Sequence, residues 1–140
     1  IWQSDALGLG HAVFCAKQLL NGEPFTVLLP DILVLDKKSL SKNYSFSAMV
    51  EAWNETGIGQ VMVERVSFDT LENFGVADLV EEISEPFKSI PLEALIEKPS
   101  AEKAPSNLAA LGRYILPFNF MPFLRVPLPV WVERYSSLTR

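Results

Sequence analysis

The apolar positions of this chain fall into short blocks separated by turn residues, and the spacing inside each block predicts an element. From Gly10 to Leu20, residues Ala12, Val13, Ala16, Leu19 and Leu20 recur at helical spacing and form one apolar face. Asn21-Gly22 supplies the stop. Phe25 to Leu29 is a continuous apolar run, too short for a helix, and predicts a buried parallel strand. Lys37 to Tyr44 is polar and reads as a loop. Phe46 to Glu55 predicts a second helix, with Phe46, Met49, Val50 and Trp53 on one side and Thr56-Gly57 at its end. Gln60 to Val66, Phe74 to Leu79 and Leu92 to Ile96 predict strands, linked in part by the proline-bearing loops Ser84–Pro91 and Ser100–Asn107. Leu108 to Leu116 is apolar but interrupted by Gly112 and Arg113. Alternating helix and strand is the mark of an α/β layer fold.

The character changes after Leu116. Pro117, Pro122, Pro127 and Pro129 argue against both a central strand and a helix. Phe118, Phe120, Phe123 and Trp131 show no clean period, and no regular structure is assigned to Val126–Arg140.

Composition narrows the functional classes. A chain of 140 residues fits one modest domain, and 49% hydrophobic residues are enough to pack a core rather than stay disordered. A net charge of −5 argues against a general nucleic-acid binder, although a small phosphate ligand needs only local positive charge. No apolar run reaches the roughly 18 to 20 residues of a membrane span, and no signal peptide is visible. No membrane partner and a cytoplasmic location are therefore expected. The single cysteine, Cys15, rules out a disulfide framework or a cysteine zinc cluster within the chain and reads as a buried structural thiol. The chain opens Ile1-Trp2-Gln3 without an initiator Met and already in patterned sequence, which reads as a piece of a longer protein.

Several residues have the chemistry for a site. Asp31 follows the Phe25–Leu29 strand, where open α/β sheets bind ligands. Its carboxylate is equally suited to a hard cation such as Mg²⁺ and to capping a turn or helix. Gly8-Leu9-Gly10 before a helix is either a plain turn or a close approach for a ligand at the helix N-terminus. His11, the one histidine, has no serine–acid arrangement around it and reads as structural or supporting. Glu97-Lys98 at a strand end combines a hydroxyl acceptor with a mobile cation for phosphate; the plainer alternative is a surface ion pair. Gly75 is a close-approach glycine or a bend.

In order, these pieces resemble the bacterial UTP–glucose-1-phosphate uridylyltransferase (UDP-glucose pyrophosphorylase) family. The matching stretches are Leu7-Gly8-Leu9-Gly10-His11-Ala12-Val13, Val27-Leu28-Leu29-Pro30-Asp31 and Asn54-Glu55-Thr56-Gly57. They continue with Phe74-Gly75-Val76, Glu97-Lys98-Pro99, Ala104-Pro105-Ser106-Asn107-Leu108-Ala109 and Gly112-Arg113-Tyr114-Ile115-Leu116. The resemblance covers Gln3 to about Leu124. It implies a Rossmann-like nucleotide-diphospho-sugar transferase sheet flanked by helices, here incomplete. It implies nucleotidyl transfer from UTP to glucose 1-phosphate with Mg²⁺, by positioning and electrostatics rather than a covalent intermediate. It gives Gln3 and Gly8 to the uracil, Asp31 to the metal, Gly75 and Glu97 to the sugar, and Lys98 to the sugar phosphate. Asp31 and Lys98 would be the catalytic pair. The parent enzyme is expected to be a homo-oligomer.

The resemblance also defines what this stretch lacks. The family's glycine-rich phosphate loop is expected before Ile1, and its second metal-binding Asp beyond residue 140. Loss of the first, usually central, strand should expose apolar sheet edges. Residues 1–124 are read as a partial nucleotidyltransferase domain and 125–140 as an aberrant tail. In a shifted reading frame, permitted codons for Trp131 to Arg140 can spell the GGEIQLTDA expected in the family, so a frameshift or sequencing error after about Leu124 is one explanation. Sequencing the encoding DNA tests it. Alone, the chain is expected to be inactive; the alternative is a non-catalytic nucleotide-sugar binder.

Overall fold

One strand organises the molecule, and it is the apolar stretch that Gly112-Arg113 seemed to interrupt. The computed structural model describes residues 1–34 and 44–125. Their strands are β1 (Phe25–Leu28), β2 (Gln60–Arg65), β3 (Gly75–Leu79), β4 (Leu92–Glu97) and β5 (Leu108–Leu116). The α-helices are α1 (Gly8–Cys15) and α2 (Tyr44–Thr56), and 3₁₀ segments cover Lys17–Leu19, Phe68–Asn73 and Phe118–Arg125. This is an α/β sheet with helices packed on it, as the sequence pattern predicts.

β5 runs unbroken through Gly112, and seven of its nine residues are buried. It pairs antiparallel with β1, β2 and β3. Tyr114 and Ile115 pair with both β1 and β2, so those strands lie on opposite edges of β5. Ala109 pairs with both Val76 of β3 and Glu64 of β2. β3 therefore shares an edge with β1, and the two follow one another along it. β4 completes the sheet, antiparallel to β3.

This corrects the reading of Phe25–Leu29 as a buried parallel strand. β1 is parallel in direction to β2 and β3, but its ladder is antiparallel to β5, and β1 has no other strand partner among the described residues. Only Phe25 of this strand is buried, while Leu28 is 58% exposed.

The core has one contributor the sequence pattern did not reveal, the segment after Leu116. Phe25 and Leu116 pack with Phe120, Met121 and Leu124 of the last 3₁₀ segment, and Val13 and Phe14 of α1 close over them. The proline-rich stretch after Leu116 is thus helical after all, with Pro122 inside it. The segment is long for 3₁₀ geometry and carries its proline in the interior, where the backbone N–H is lost. α1 begins at Gly8, two residues earlier than predicted, and its α-helical part ends at Cys15, well before Asn21-Gly22. Cys15 is half-buried, not fully buried. α2 begins two residues before and ends one residue after its predicted limits; Met49 is buried on it, whereas Val50 is exposed. Tyr44, expected in a loop, begins α2. Residues 37–43 of the predicted loop, and the expectations for 126–140, lie outside the described residues. No described helix is long and apolar enough to cross a membrane.

The Ala104–Ala109 stretch turns out to place β5. Ser106 Oγ donates to the Ala77 carbonyl of β3 and accepts from Leu108 N. Asn107 Nδ2 donates to Val66 O beside β2, and Asn107 Oδ1 accepts from Arg65. One short loop thus ties β2 and β3 to the start of β5.

Candidate functional site

The shared edge of β5 has a gap, and the polar candidates collect around it. β1 leaves the edge after Leu28, with one further bond from Leu29 N to Gly112 O at 2.9 Å. β3 joins the edge through Val76, opposite Ala109. Three residues of strand separate those points, about 10 Å. The Pro30-Asp31 turn departs at one side of this gap and Gly75 opens β3 at the other.

Gly112 shapes the first side. Its φ of +64° is a conformation that suits glycine, and a Cβ there would come within 2.8 Å of the Leu29 side chain. Arg113, which the sequence reading gave no role, then reaches across. Its guanidinium donates to the carbonyls of Leu29 and Ile32, both at 2.5 Å, and more loosely to those of Leu111 and Gly112. These bonds fix the backbone on both sides of Pro30-Asp31. The Asp31 carboxylate itself is exposed.

The second side is built by register. Gly75 is directly paired with Glu97 at the end of β4. A Cβ at Gly75 would lie 3.4 Å from Glu97 Oε2 and 3.6 Å from Leu95. Glycine therefore leaves an open surface beside the carboxylate. Lys98 follows with φ of +47°, while its N–H bonds Phe74 O at 2.9 Å. A residue before proline is normally extended, so this conformation stores strain of roughly 1–3 kcal/mol. The buried Pro99 and the bond to Phe74 hold it in place. The Glu97 and Lys98 side chains are exposed, and no ion pair joins them among the described residues.

Tyr114 connects the two sides. Its phenol is pushed above its ordinary value of 10, first by burial, then by the negative charges of Glu97 and of Asp31. Both carboxylates are thus felt at one point on β5. The same ring packs against the core cluster, so the site is footed on it.

A separate cluster forms at the start of α1. Gln3 Nε2 is 3.2 Å from Gly8 O and 3.1 Å from His11 Nδ1. Gln3 and Gly8 are thus together, with His11 as an unforeseen third member. No direct contact joins this cluster to Asp31, Gly75, Glu97 or Lys98 among the described residues.

The donor set limits what cation fits. No group of three or more His, Cys, Asp or Glu among the described residues could hold a metal ion. A lone carboxylate suits Mg²⁺ only in its phosphate-sharing mode, in which water and substrate oxygens supply the other ligands. Asp31 fits that mode.

The antiparallel sheet with helices packed on it defines an α/β protein of the nucleotidyltransferase fold. The chain belongs to the nucleotidyl transferase family, which matches residues 1–126. Within it, the similarity is to UTP–glucose-1-phosphate uridylyltransferases. That of Haemophilus influenzae is 42% identical over 113 residues, which is 81% of this chain and 38% of the relative. UDP-glucose pyrophosphorylase from Acinetobacter baumannii superimposes with a TM-score of 0.80 at 36% identity, covering 97% of this chain and 47% of that one. A UTP-bound structure from the same organism gives 0.78 at 36% identity, with 99% and 46% covered. The chain spans less than half the length of the curated relatives it matches.

Proposed function

We propose that this chain carries the base-, metal- and sugar-contacting part of an enzyme that joins UTP and glucose 1-phosphate into UDP-glucose and pyrophosphate. The observation that supports the reading is the shared edge of β5, along which the Asp31 turn leaves β1 and the Gly75–Glu97 pair opens β3. The names of the relatives and the UTP-bound neighbour support the choice of nucleotide and sugar.

In this reading Gln3 and the backbone at Gly8 contact the uracil. Glu97 accepts hydrogen bonds from sugar hydroxyls, which Gly75 lets approach. Lys98 neutralises the sugar phosphate and aligns its oxygen with the α-phosphorus. Asp31, held by the Arg113 clamp, would share Mg²⁺ with the triphosphate. When bound, that ion would offset the negative charge of the phosphate oxygens. The catalytic contribution of the protein is alignment and charge, with Asp31 and Lys98 the catalytic residues.

A second reading is a binder of nucleotide sugars without turnover. It is favoured by the donor set, in which Asp31 is the only acid proposed for the cation and Lys98 the only cation proposed for phosphate. One assay separates them. The chain is incubated with UTP, glucose 1-phosphate and Mg²⁺, and pyrophosphate is measured. Release that disappears in Asp31→Ala and Lys98→Ala supports the enzyme; no release, together with calorimetric binding of UDP-glucose, supports the binder. Neither release nor binding of UTP or UDP-glucose overturns both.

A further inference from the structure

Gln3 uses both hydrogens of its side-chain amide. One contact is a backbone carbonyl, Gly8 O at 3.2 Å, which can only accept. That fixes which end of the amide faces inward, a choice ordinarily left to inference. The other contact, His11 Nδ1 at 3.1 Å, must then accept as well. A neutral imidazole accepts at the nitrogen without a proton, so His11 carries its proton on Nε2. The carbonyl oxygen Oε1 remains the amide's uncommitted polar atom among the described residues.

A single anchor leaves the amide free to turn about its last bond. Two anchors set its plane and its sense. We propose that His11 is a positioning residue for base selection: by holding the second N–H of Gln3, it keeps Oε1 as a fixed acceptor toward the nucleotide base. A fixed acceptor selects a base whose facing edge carries an imide N–H, as uracil does. It opposes cytosine, whose corresponding ring nitrogen presents a lone pair. With the amide turned over, its NH₂ would face the base and cytosine would be tolerated. The inference rests on the reading of Gln3 as a base contact and adds the residue that gives this contact its polarity. A site that presents a fixed acceptor discriminates because the mismatched base leaves buried polar atoms unpaired.

The test compares UTP and CTP binding by calorimetry for the unmodified chain, His11→Ala, His11→Asn and Gln3→Ala. The unmodified chain is expected to prefer UTP. His11→Ala should reduce the UTP-to-CTP ratio about tenfold, the worth of one well-placed hydrogen bond. His11→Asn should restore most of it, because a side-chain oxygen can stand near the Nδ1 position. A purely structural histidine would lower the melting temperature and leave the ratio unchanged, and that result overturns the proposal while the Gln3 contact stands. A ratio unaffected by Gln3→Ala, or an unmodified chain that does not bind UTP, overturns the base-contact reading and this proposal with it. A second measurement needs neither ligand nor variant. Nitrogen-15 NMR of the free chain should show His11 with Nδ1 unprotonated; the opposite tautomer overturns the proposal.

Discussion

The carboxylate of Glu97 stands directly over Gly75, so that a methyl group on the glycine would lie 3.4 Å from Oε2. The two residues are register partners across β3 and β4. The contact would be ordinary in length, so the fold can admit it, but the space beside the carboxylate would be filled. Gly75→Ala should therefore change stability by less than about 1 kcal/mol, as volume-tolerant sites do. It should weaken UDP-glucose binding at least tenfold while UTP binding stays within about threefold. Paired calorimetric titrations check this, and equal loss for both ligands would contradict the placement of the sugar here.

Lys98 gives a prediction in which stability and ligand affinity separate. Its left-handed backbone is costly for any residue with a Cβ. Lys98→Gly should be roughly 0.5–1 kcal/mol more stable than Lys98→Ala in urea denaturation, after allowance for the greater freedom of glycine in the unfolded chain. Both variants should lose affinity for glucose 1-phosphate to the same degree, because both lack the ammonium. If glycine at this position restored affinity, the backbone rather than the charge would be the ligand contact.

The Asp31 turn depends on residues more than eighty positions later. Gly112→Ala combines an unfavourable φ with a 2.8 Å approach to Leu29, and should destabilise by about 3 kcal/mol. Arg113→Ala leaves the carbonyls of Leu29 and Ile32 without their donor. Hydrogen exchange in and around residues 29–32 should quicken severalfold in Arg113→Ala and less in Arg113→Lys, with β4 unaffected. Uniform quickening across the sheet would mean that the arginine stabilises the fold at large rather than this turn.

Tyr114 predicts a specific alkaline behaviour. The folded chain holds the phenol proton above the ordinary value, so between that value and the raised one the unfolded state binds fewer protons. Stability then falls as pH rises above about 10, at up to about 1.4 kcal/mol per pH unit, and is unaffected below it. Tyr114→Phe should remove that slope. Ultraviolet titration offers a sharper check. Asp31→Asn and Glu97→Gln should each lower the Tyr114 transition toward 10. A transition indifferent to both would separate the two carboxylates from the ring.

Much of the fold was legible because strands and helices announce themselves by local period. β2, β3 and β4 lie within a residue or so of the expected limits. The misses have physical causes. β5 looked broken because glycine and arginine punctuate an apolar run, yet Gly112 is there to let Leu29 approach, and Arg113 points its charge at carbonyls instead of solvent. The Phe118–Arg125 segment looked irregular because its apolar residues follow no α-helical period and Pro122 removes a donor, yet Phe120, Met121 and Leu124 are buried in the core. At the candidate site, residue types could be read but partnerships could not. Nothing local to Glu97 says that it faces Gly75, and nothing local to His11 says that Gln3 will find its Nδ1. Asp31 was legible as an acid after a strand, whereas its clamp lies 81 to 84 residues away.

The central position of β5 has a consequence for how the molecule is made. β1, β2 and β3 all pair with it, and it follows all three of them in the chain. Until Leu108–Leu116 emerges, β1 and β2 have no common partner and their edges stay open, a state that invites association with other chains. The pairing that joins β1 to β2 through the sheet therefore follows, and cannot precede, synthesis of Leu108–Leu116.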